Sequence, residues 1–286
     1  MKILVLGSIG MAGHIISLYF KEQGHDVTAY SMQPFPFCKN IIGNALNTEH
    51  LRETLLSDDY DSVINCIGIL NQDADDNRSK AVYLNSFLPH FAVETLKERK
   101  AKFIQMSTDC VFRGNTGPYY EDSFCDGLTF YDRSKALGEV IDNKNLTFRN
   151  SIIGPDMNES GIGLFNWFMK QKGLIDGYSG AIWTGVTTLT LAKAMEHAIS
   201  ENLCGIYNLV NNESISKYQL MRLLNKYFKN NDLCINESNH LKIDKTLKCN
   251  RSDFSFKVPS YEYMIMEMKE WIETHRSLYP NYYSAI

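Results

Sequence analysis

No apolar run in this 286-residue chain approaches the ~18 residues a membrane-crossing helix needs, and the longest, Val63 to Leu70, falls far short. Positive charge is not in surplus: a net charge of -4 and a pI near 6.0 leave no electrostatic footprint for nucleic acid. The seven cysteines, at 38, 66, 110, 125, 204, 234 and 249, are odd in number and never spaced CxxC, so neither a disulfide framework nor a zinc site is indicated. Repeats, low-complexity tracts and a clear linker are also missing. The start MKILVLG lacks the anatomy of a cleavable signal, because its apolar segment runs straight into a glycine turn. The expectation is a cytoplasmic protein without metal, membrane attachment or nucleic-acid partner, long enough for one large domain or a main domain with a smaller lobe.

What the chain does have begins at its amino end. Lys2 to Leu6 reads as a buried strand, followed at once by Gly7-Ser8-Ile9-Gly10-Met11-Ala12-Gly13 and a helical pattern through Phe20. In that order, Gly7 permits a tight turn, Gly10 lets backbone approach a pyrophosphate, and Gly13 lets the helix pack close to the strand. The spacing is GxxGxxG, not the commoner GxGxxG. Strand patterns recur at 25–30, 61–68 and 101–106, with helical segments at 51–56, 80–100 and 131–142. Such alternation predicts an α/β fold: a doubly wound parallel sheet of the Rossmann type, with ligands at the carboxyl ends of its strands. We expect this unit to span 1–152, with a returning strand near 205–210, and residues 153–286 to form mainly a smaller substrate-binding lobe. The stripe Tyr261, Met264, Ile265, Met268, Trp271 and Ile272 reads as a packed core helix, since its polar face carries glutamates that anionic lipid would repel.

Two further motifs follow strand ends: Ser107-Thr108-Asp109-Cys110-Val111-Phe112 and Tyr131-Asp132-Arg133-Ser134-Lys135. A phenol with an ordinary pKa of ~10 is a poor acid-base group at neutral pH, and a lysine one helical turn away favours its ionised form. Together they make a proton-transfer device in need of a redox partner, which the glycine turn suggests.

With these motifs in place, and with Gly138-Glu139 following, the chain resembles the extended short-chain dehydrogenase/reductase superfamily. It looks most like the branch of dTDP-4-dehydrorhamnose reductases, which reduce 4-keto nucleotide sugars. The resemblance implies that Thr108 orients the substrate, Tyr131 donates the proton, and Lys135 holds the nicotinamide ribose and lowers the Tyr131 pKa. It implies cofactor contacts at Gly7, Gly10, Met11, Gly13, Cys66, Ile67, Gly68 and Asn85, a nucleotide-sugar substrate, and a homodimer through the helices at 80–100 and 131–142.

The end of the second strand, Tyr30-Ser31-Met32-Gln33, has no carboxylate to hold a ribose 2'-hydroxyl. This points to NADPH, with NADH as the alternative; Ser31 and Lys39 are candidate phosphate contacts. Asp109 followed by Cys110 lacks the Asp-Glu pair of related dehydratases, which favours simple reduction. Cys110 stands where related epimerase-reductases place an acid-base cysteine, but their partner histidine has no counterpart between Gly154 and Trp183. Where the rhamnose-forming enzymes have a tryptophan, this chain has Ile152. Trp183 is the candidate replacement wall, Asp109 and Ile152 candidate substrate neighbours, and Arg251 a candidate diphosphate ligand. A UDP-linked 2-acetamido sugar is therefore as open as the dTDP sugar. The competing class is a non-catalytic NADP-binding regulatory subunit.

Overall fold

The computed structural model describes residues 1–283. Its centre is a parallel sheet of β1 (Lys2–Leu6), β2 (Asp26–Ser31), β3 (Lys39–Ile42), β4 (Ser62–Asn65), β5 (Lys102–Met106), β6 (Leu146–Arg149) and a later strand, β11 (Gly205–Asn208). The spatial order is β11-β6-β5-β4-β1-β2-β3, so the winding reverses at β1. Side-chain alternation gives each strand two apolar faces. Ile3 and Val5 point into the core under α1 (Met11–Glu22) and α8 (Thr188–Ser200), while Leu4 and Leu6 point into the core under α2 (Thr48–Leu56) and α5 (Leu88–Thr95).

β1 ends at Leu6 and gives way to Gly7, whose φ of +84° is the left-handed turn that glycine tolerates. Gly13 is needed for packing: a Cβ there would lie 2.1 Å from the Gly7 carbonyl oxygen. The helical segment expected at 80–100 is built in three pieces, α4 (Arg78–Ala81), a π-helical turn Val82–Phe87 and α5, after α3 (Asn71–Asp76). The helix expected over 131–142 is α6 (Phe130–Leu137) and stops early. Gly138 explains the stop, since a Cβ there would lie 1.8 Å from the Asn85 carbonyl oxygen of the π-turn. Beyond it Val140 N donates to Thr147 Oγ1 instead of continuing the helix.

After β6 the chain forms β7 (Ser151–Ile153), α7 (Leu164–Lys170), β8 (Leu174–Tyr178), β9 (Ala181–Trp183) and β10 (Gly185–Thr187), then returns through α8 to β11. It leaves again through β12 (Ile215–Ser216), α9 (Lys217–Phe228), β13 (Cys234–Ser238), β14 (Ile243–Asp244) and α10 (Tyr261–Thr274). Small pairings β7–β10, β8–β13 and β12–β9–β14 knit this part together. The six apolar residues expected on the last helix are all buried in α10.

Candidate active site

At the carboxyl ends of β1, β2 and β4 lies a cleft of about 450 Å³ whose walls include Gly7, Gly10, Ser31, Cys66, Ile67 and Gly68. α1 opens onto it with Gly10 as its amino cap, no side chain bonding the cap, and no acidic residue in the first turn. Packing does not require Gly10: a Cβ there would meet only the Gly7 carbonyl oxygen, at an ordinary 3.5 Å. The missing side chain instead leaves the helix end open, where amide hydrogens and the helix dipole favour a phosphate. The residues therefore fit a dinucleotide. Met11 is the first residue of α1, and its sulfur lies 3.0 Å from where a Cβ on Gly163 would stand.

Sequence reasoning missed how the cleft wall is held. Asn65 Oδ1 accepts from Ile67 N at 3.1 Å, and Asn65 Nδ2 donates to Gln105 Oε1 at 2.8 Å. Asn85 is wholly buried in the π-turn; its amide donates to Ile69 O and Ser134 Oγ and accepts from Ile69 N. It thus shapes the 66–69 turn from behind and is not part of the cleft wall. Met32, Asn44, Leu46, Asp73, Lys80 and Ile162 also line the cleft, and no local motif marked them.

At the β2 end, Ser31 Oγ donates to Gln33 O at 2.7 Å and accepts from Asn40 Nδ2 at 3.3 Å. Lys39 does not reach this end. It is the first residue of β3, paired with Thr28, and its charge acts on Asp58, which bonds Lys2 at the amino end of β1.

The second half of the site forms where α6 crosses the end of β5. Thr129 caps α6 by a reciprocal box with Asp132: Asp132 N donates to Thr129 Oγ1 at 3.1 Å and Thr129 N to Asp132 Oδ2 at 3.1 Å. The cap fixes the helix start, so that Tyr131 and Lys135 sit one turn apart on a buried face. Lys135 Nζ donates to Met106 O at 2.6 Å, docking α6 on the strand that runs into Thr108. Thr108 Oγ1 donates to Asp109 Oδ1 and accepts from Cys110 N, both at 3.1 Å.

Beneath this turn is a buried strut. Arg149 grips Glu139 with two hydrogen bonds of 2.9 and 2.7 Å, Ser107 Oγ donates to Glu139 at 2.6 Å, and the guanidinium lies 4.9 Å from the Phe112 ring centre. Paired and hydrogen-bonded, these charges fix the Ser107–Phe112 segment without an orphaned ion in the interior.

Burial raises the Tyr131 phenol well above its ordinary value; Cys110 and Asp109 add to this, and the Thr108 hydroxyl opposes it. Lys135 stands one turn along the same buried face of α6. Its ammonium is held on Met106, and burial pulls it down to about 8 against the pull of Glu139 and Cys66. That coupling to Cys66, a cleft residue, joins the two halves of the site. Burial pushes the Cys110 thiol up to about 11 and raises the Asp109 carboxyl, the latter opposed first by Lys245, then by hydrogen bonds from Thr108 and Cys110, and last by Lys217. Those two lysines face the Thr108 turn from the far lobe, and no motif announced them.

Three substrate expectations fare differently. Trp183 is not a wall of the site: it is buried in the core beside Tyr261, ring centres 5.6 Å apart. Arg251 does not line the cleft; it is tied to Asp253 and to the carbonyls of Cys204 and Ile206, at the start of edge strand β11. Ile152 is half-buried in β7, paired with Val186 of β10 and packed on the α1-side core.

Comparison with known proteins decides the family. A family model described as the RmlD substrate binding domain matches residues 1–153, which hold every motif of this site from Gly7 to Lys135. The chain belongs to that family. The chain is 32% identical over 143 residues to a Haloferax volcanii protein named as the probable low-salt glycan biosynthesis reductase Agl14. That match covers 49% of this chain and 48% of the relative. It is 28% identical over 154 residues to the Bacillus subtilis spore coat polysaccharide biosynthesis protein SpsK, covering 53% and 51%. The chain thus spans about half the length of the curated relatives it matches. In fold it is similar to the Bacillus anthracis dTDP-4-dehydrorhamnose reductase solved in complex with NADP, with TM-score 0.78, 17% identity, and 95% and 99% of the two chains covered.

Proposed function

We propose that this protein is an NADPH-dependent reductase of the 4-keto group of a nucleotide-linked 6-deoxyhexulose, acting in polysaccharide precursor synthesis. The observation that carries the reading is the convergence of Thr108, Tyr131 and Lys135 beside a glycine-walled cleft, with no carboxylate at the β2 end. The names of the curated relatives, a glycan reductase and a coat-polysaccharide protein, support the same class.

When bound, the reduced nicotinamide supplies hydride to the ketone carbon. Tyr131, which burial keeps protonated, gives its proton to the carbonyl oxygen as negative charge grows there. Thr108 turns its hydroxyl from Asp109 to that oxygen, and Lys135 exchanges Met106 O for the ribose hydroxyls. The product is the alcohol. A base at Cys110 is disfavoured, because a thiol with a pKa of about 11 stays protonated at neutral pH. The substrate candidates are dTDP-4-dehydrorhamnose and a UDP-2-acetamido-2,6-dideoxyhexulose; NADH is the alternative reductant. A homodimer through α5 and α6 belongs to the same reading, with Phe87 and Leu137 exposed along it.

The test is turnover of both sugars with NADPH and with NADH. The reading expects NADPH oxidation with at least one. No turnover with either, together with stoichiometric capture of a partner enzyme, would replace it with the regulatory-subunit reading.

A further inference from the structure

Three buried side chains form a line of hydrogen bonds that ends on the glycine turn of the cleft. Trp271 Nε1 meets Tyr279 Oη at 3.1 Å, Tyr279 Oη meets His14 Nε2 at 2.9 Å, and His14 Nδ1 meets Gly10 O at 2.9 Å. Chemistry fixes the direction of each bond. An indole N–H can only donate and a peptide carbonyl can only accept, so Nδ1 carries a hydrogen. Burial favours the neutral imidazole, in which Nε2 accepts from the Tyr279 hydroxyl. Every donor in the line therefore points the same way, from α10 toward Gly10. Bonds aligned in this manner polarise one another, by roughly 10–30% per bond. Apolar side chains would fill the same space without desolvating an imidazole and a hydroxyl, so packing alone does not account for the line.

What the line does is set by the peptide on which it ends. Gly10 O already accepts from His14 N at 3.0 Å, so His14 grips that oxygen twice. The oxygen and Met11 N–H are opposite ends of one planar peptide unit and point opposite ways. Met11 N opens α1 and has no acceptor within the helix, while Gly10 lines the cleft. Holding the carbonyl holds the direction of the amide, and polarising the carbonyl strengthens the amide as a donor on the cleft side. The segment that supplies Tyr279 is also strapped to the far end of α1, where His275 Nε2 meets Glu22 Oε1 at 2.7 Å.

We infer that His14 and Tyr279 are positioning residues for the dinucleotide: through the Gly10–Met11 peptide they aim and strengthen an amide hydrogen bond to its pyrophosphate. This rests on the dinucleotide reading of the cleft and deepens it. Affinity for the cofactor then depends on a phenol 265 residues beyond His14, and neither side chain is part of the cleft wall.

The experiment measures binding, not turnover. NADP+, which carries the pyrophosphate, and adenosine 2'-phosphate, which lacks it, are titrated by calorimetry against wild type, Tyr279→Phe, His14→Leu and His14→Asn. Tyr279→Phe keeps the ring, deletes the hydroxyl, and should weaken NADP+ about threefold. His14→Leu removes the side-chain bond to Gly10 O and should weaken NADP+ about tenfold. His14→Asn, whose Nδ2 stands where Nδ1 stood, should recover most of that loss. Adenosine 2'-phosphate should bind all four proteins alike, a contrast that a general loosening of the fold would not produce. If the leucine variant does not fold, Tyr279→Phe and His14→Asn still carry the test, the first expected to weaken NADP+ and the second to stay near wild type. Unchanged NADP+ affinity in Tyr279→Phe, or equal weakening of adenosine 2'-phosphate, overturns the proposal. A wild type that binds neither ligand overturns the dinucleotide reading itself, a separable result.

Discussion

Lys135 shows at single-residue scale how function and stability pull apart. Burial pulls its pKa in the folded chain down to about 8 from the ordinary 10.5, so the charged form opposes folding at neutral pH. The cost is present below about pH 8 and disappears as pH rises through 10.5. Lys135→Met should therefore melt higher than wild type at pH 7, by an amount worth roughly 1–3 kcal/mol after losing the bond to Met106, while turnover falls steeply. Calorimetry beside a rate assay checks it; a lower melting temperature at pH 7 would contradict the burial cost. The placement of Thr108, Tyr131 and Lys135 could be read from spacing because strand end, cap and helix turn are local. The phenol's shift could not, because it depends on burial by segments distant in sequence. Trp183 and Arg251 were misplaced for the same reason: composition cannot tell a core tryptophan from a wall, or a guanidinium bonded to carbonyls from a free one.

Among the elements, the first turn gives a paired test. Gly10 and Gly13 look alike in the motif, yet only Gly13 is enclosed by backbone, 2.1 Å from Gly7 O. Gly13→Ala should push α1 off β1 and cost several kcal/mol, on the order of other overpacked sites, seen as a large fall in melting temperature. Gly10→Ala should leave the melting temperature nearly unchanged but weaken NADPH binding by tenfold or more, measured by fluorescence titration. Equal effects at both positions would contradict the assignment of one to packing and the other to the ligand. The alternation of strands and helices and the α10 stripe were legible because periodicity reports burial directly. The early end of α6 and the π-turn were not, because Gly138 yields to the backbone of Asn85, 53 residues upstream.

Over the whole molecule, the far end of the chain returns to the cofactor loop. His14, buried, bonds Gly10 O through Nδ1 at 2.9 Å and Tyr279 Oη through Nε2 at 2.9 Å, and Trp271 Nε1 donates to the same phenol oxygen at 3.1 Å. Gly10 O can only accept, so Nδ1 carries a hydrogen, and in the neutral imidazole that burial favours Nε2 accepts from the Tyr279 hydroxyl. Burial lowers the His14 pKa to about 4 from 6.5. A depressed histidine stabilises the fold above pH 6.5 and ceases to as pH falls toward 4, a loss of roughly 3 kcal/mol. Denaturant titrations from pH 7 to 4 should show this slope in wild type and a flatter one in His14→Gln. A contact spanning 265 residues leaves no trace in local pattern, which is why the sequence showed α10 but not where it docks.

The account turns on the Tyr131 proton. It is tested most directly by single-turnover NADPH oxidation with the preferred 4-keto nucleotide sugar, comparing wild type with Tyr131→Phe at matched cofactor saturation. The predicted result is a fall of 10²–10⁴-fold in rate, as for loss of a general acid, with NADPH affinity little changed. Equal rates in the two proteins would show that the proton comes from elsewhere.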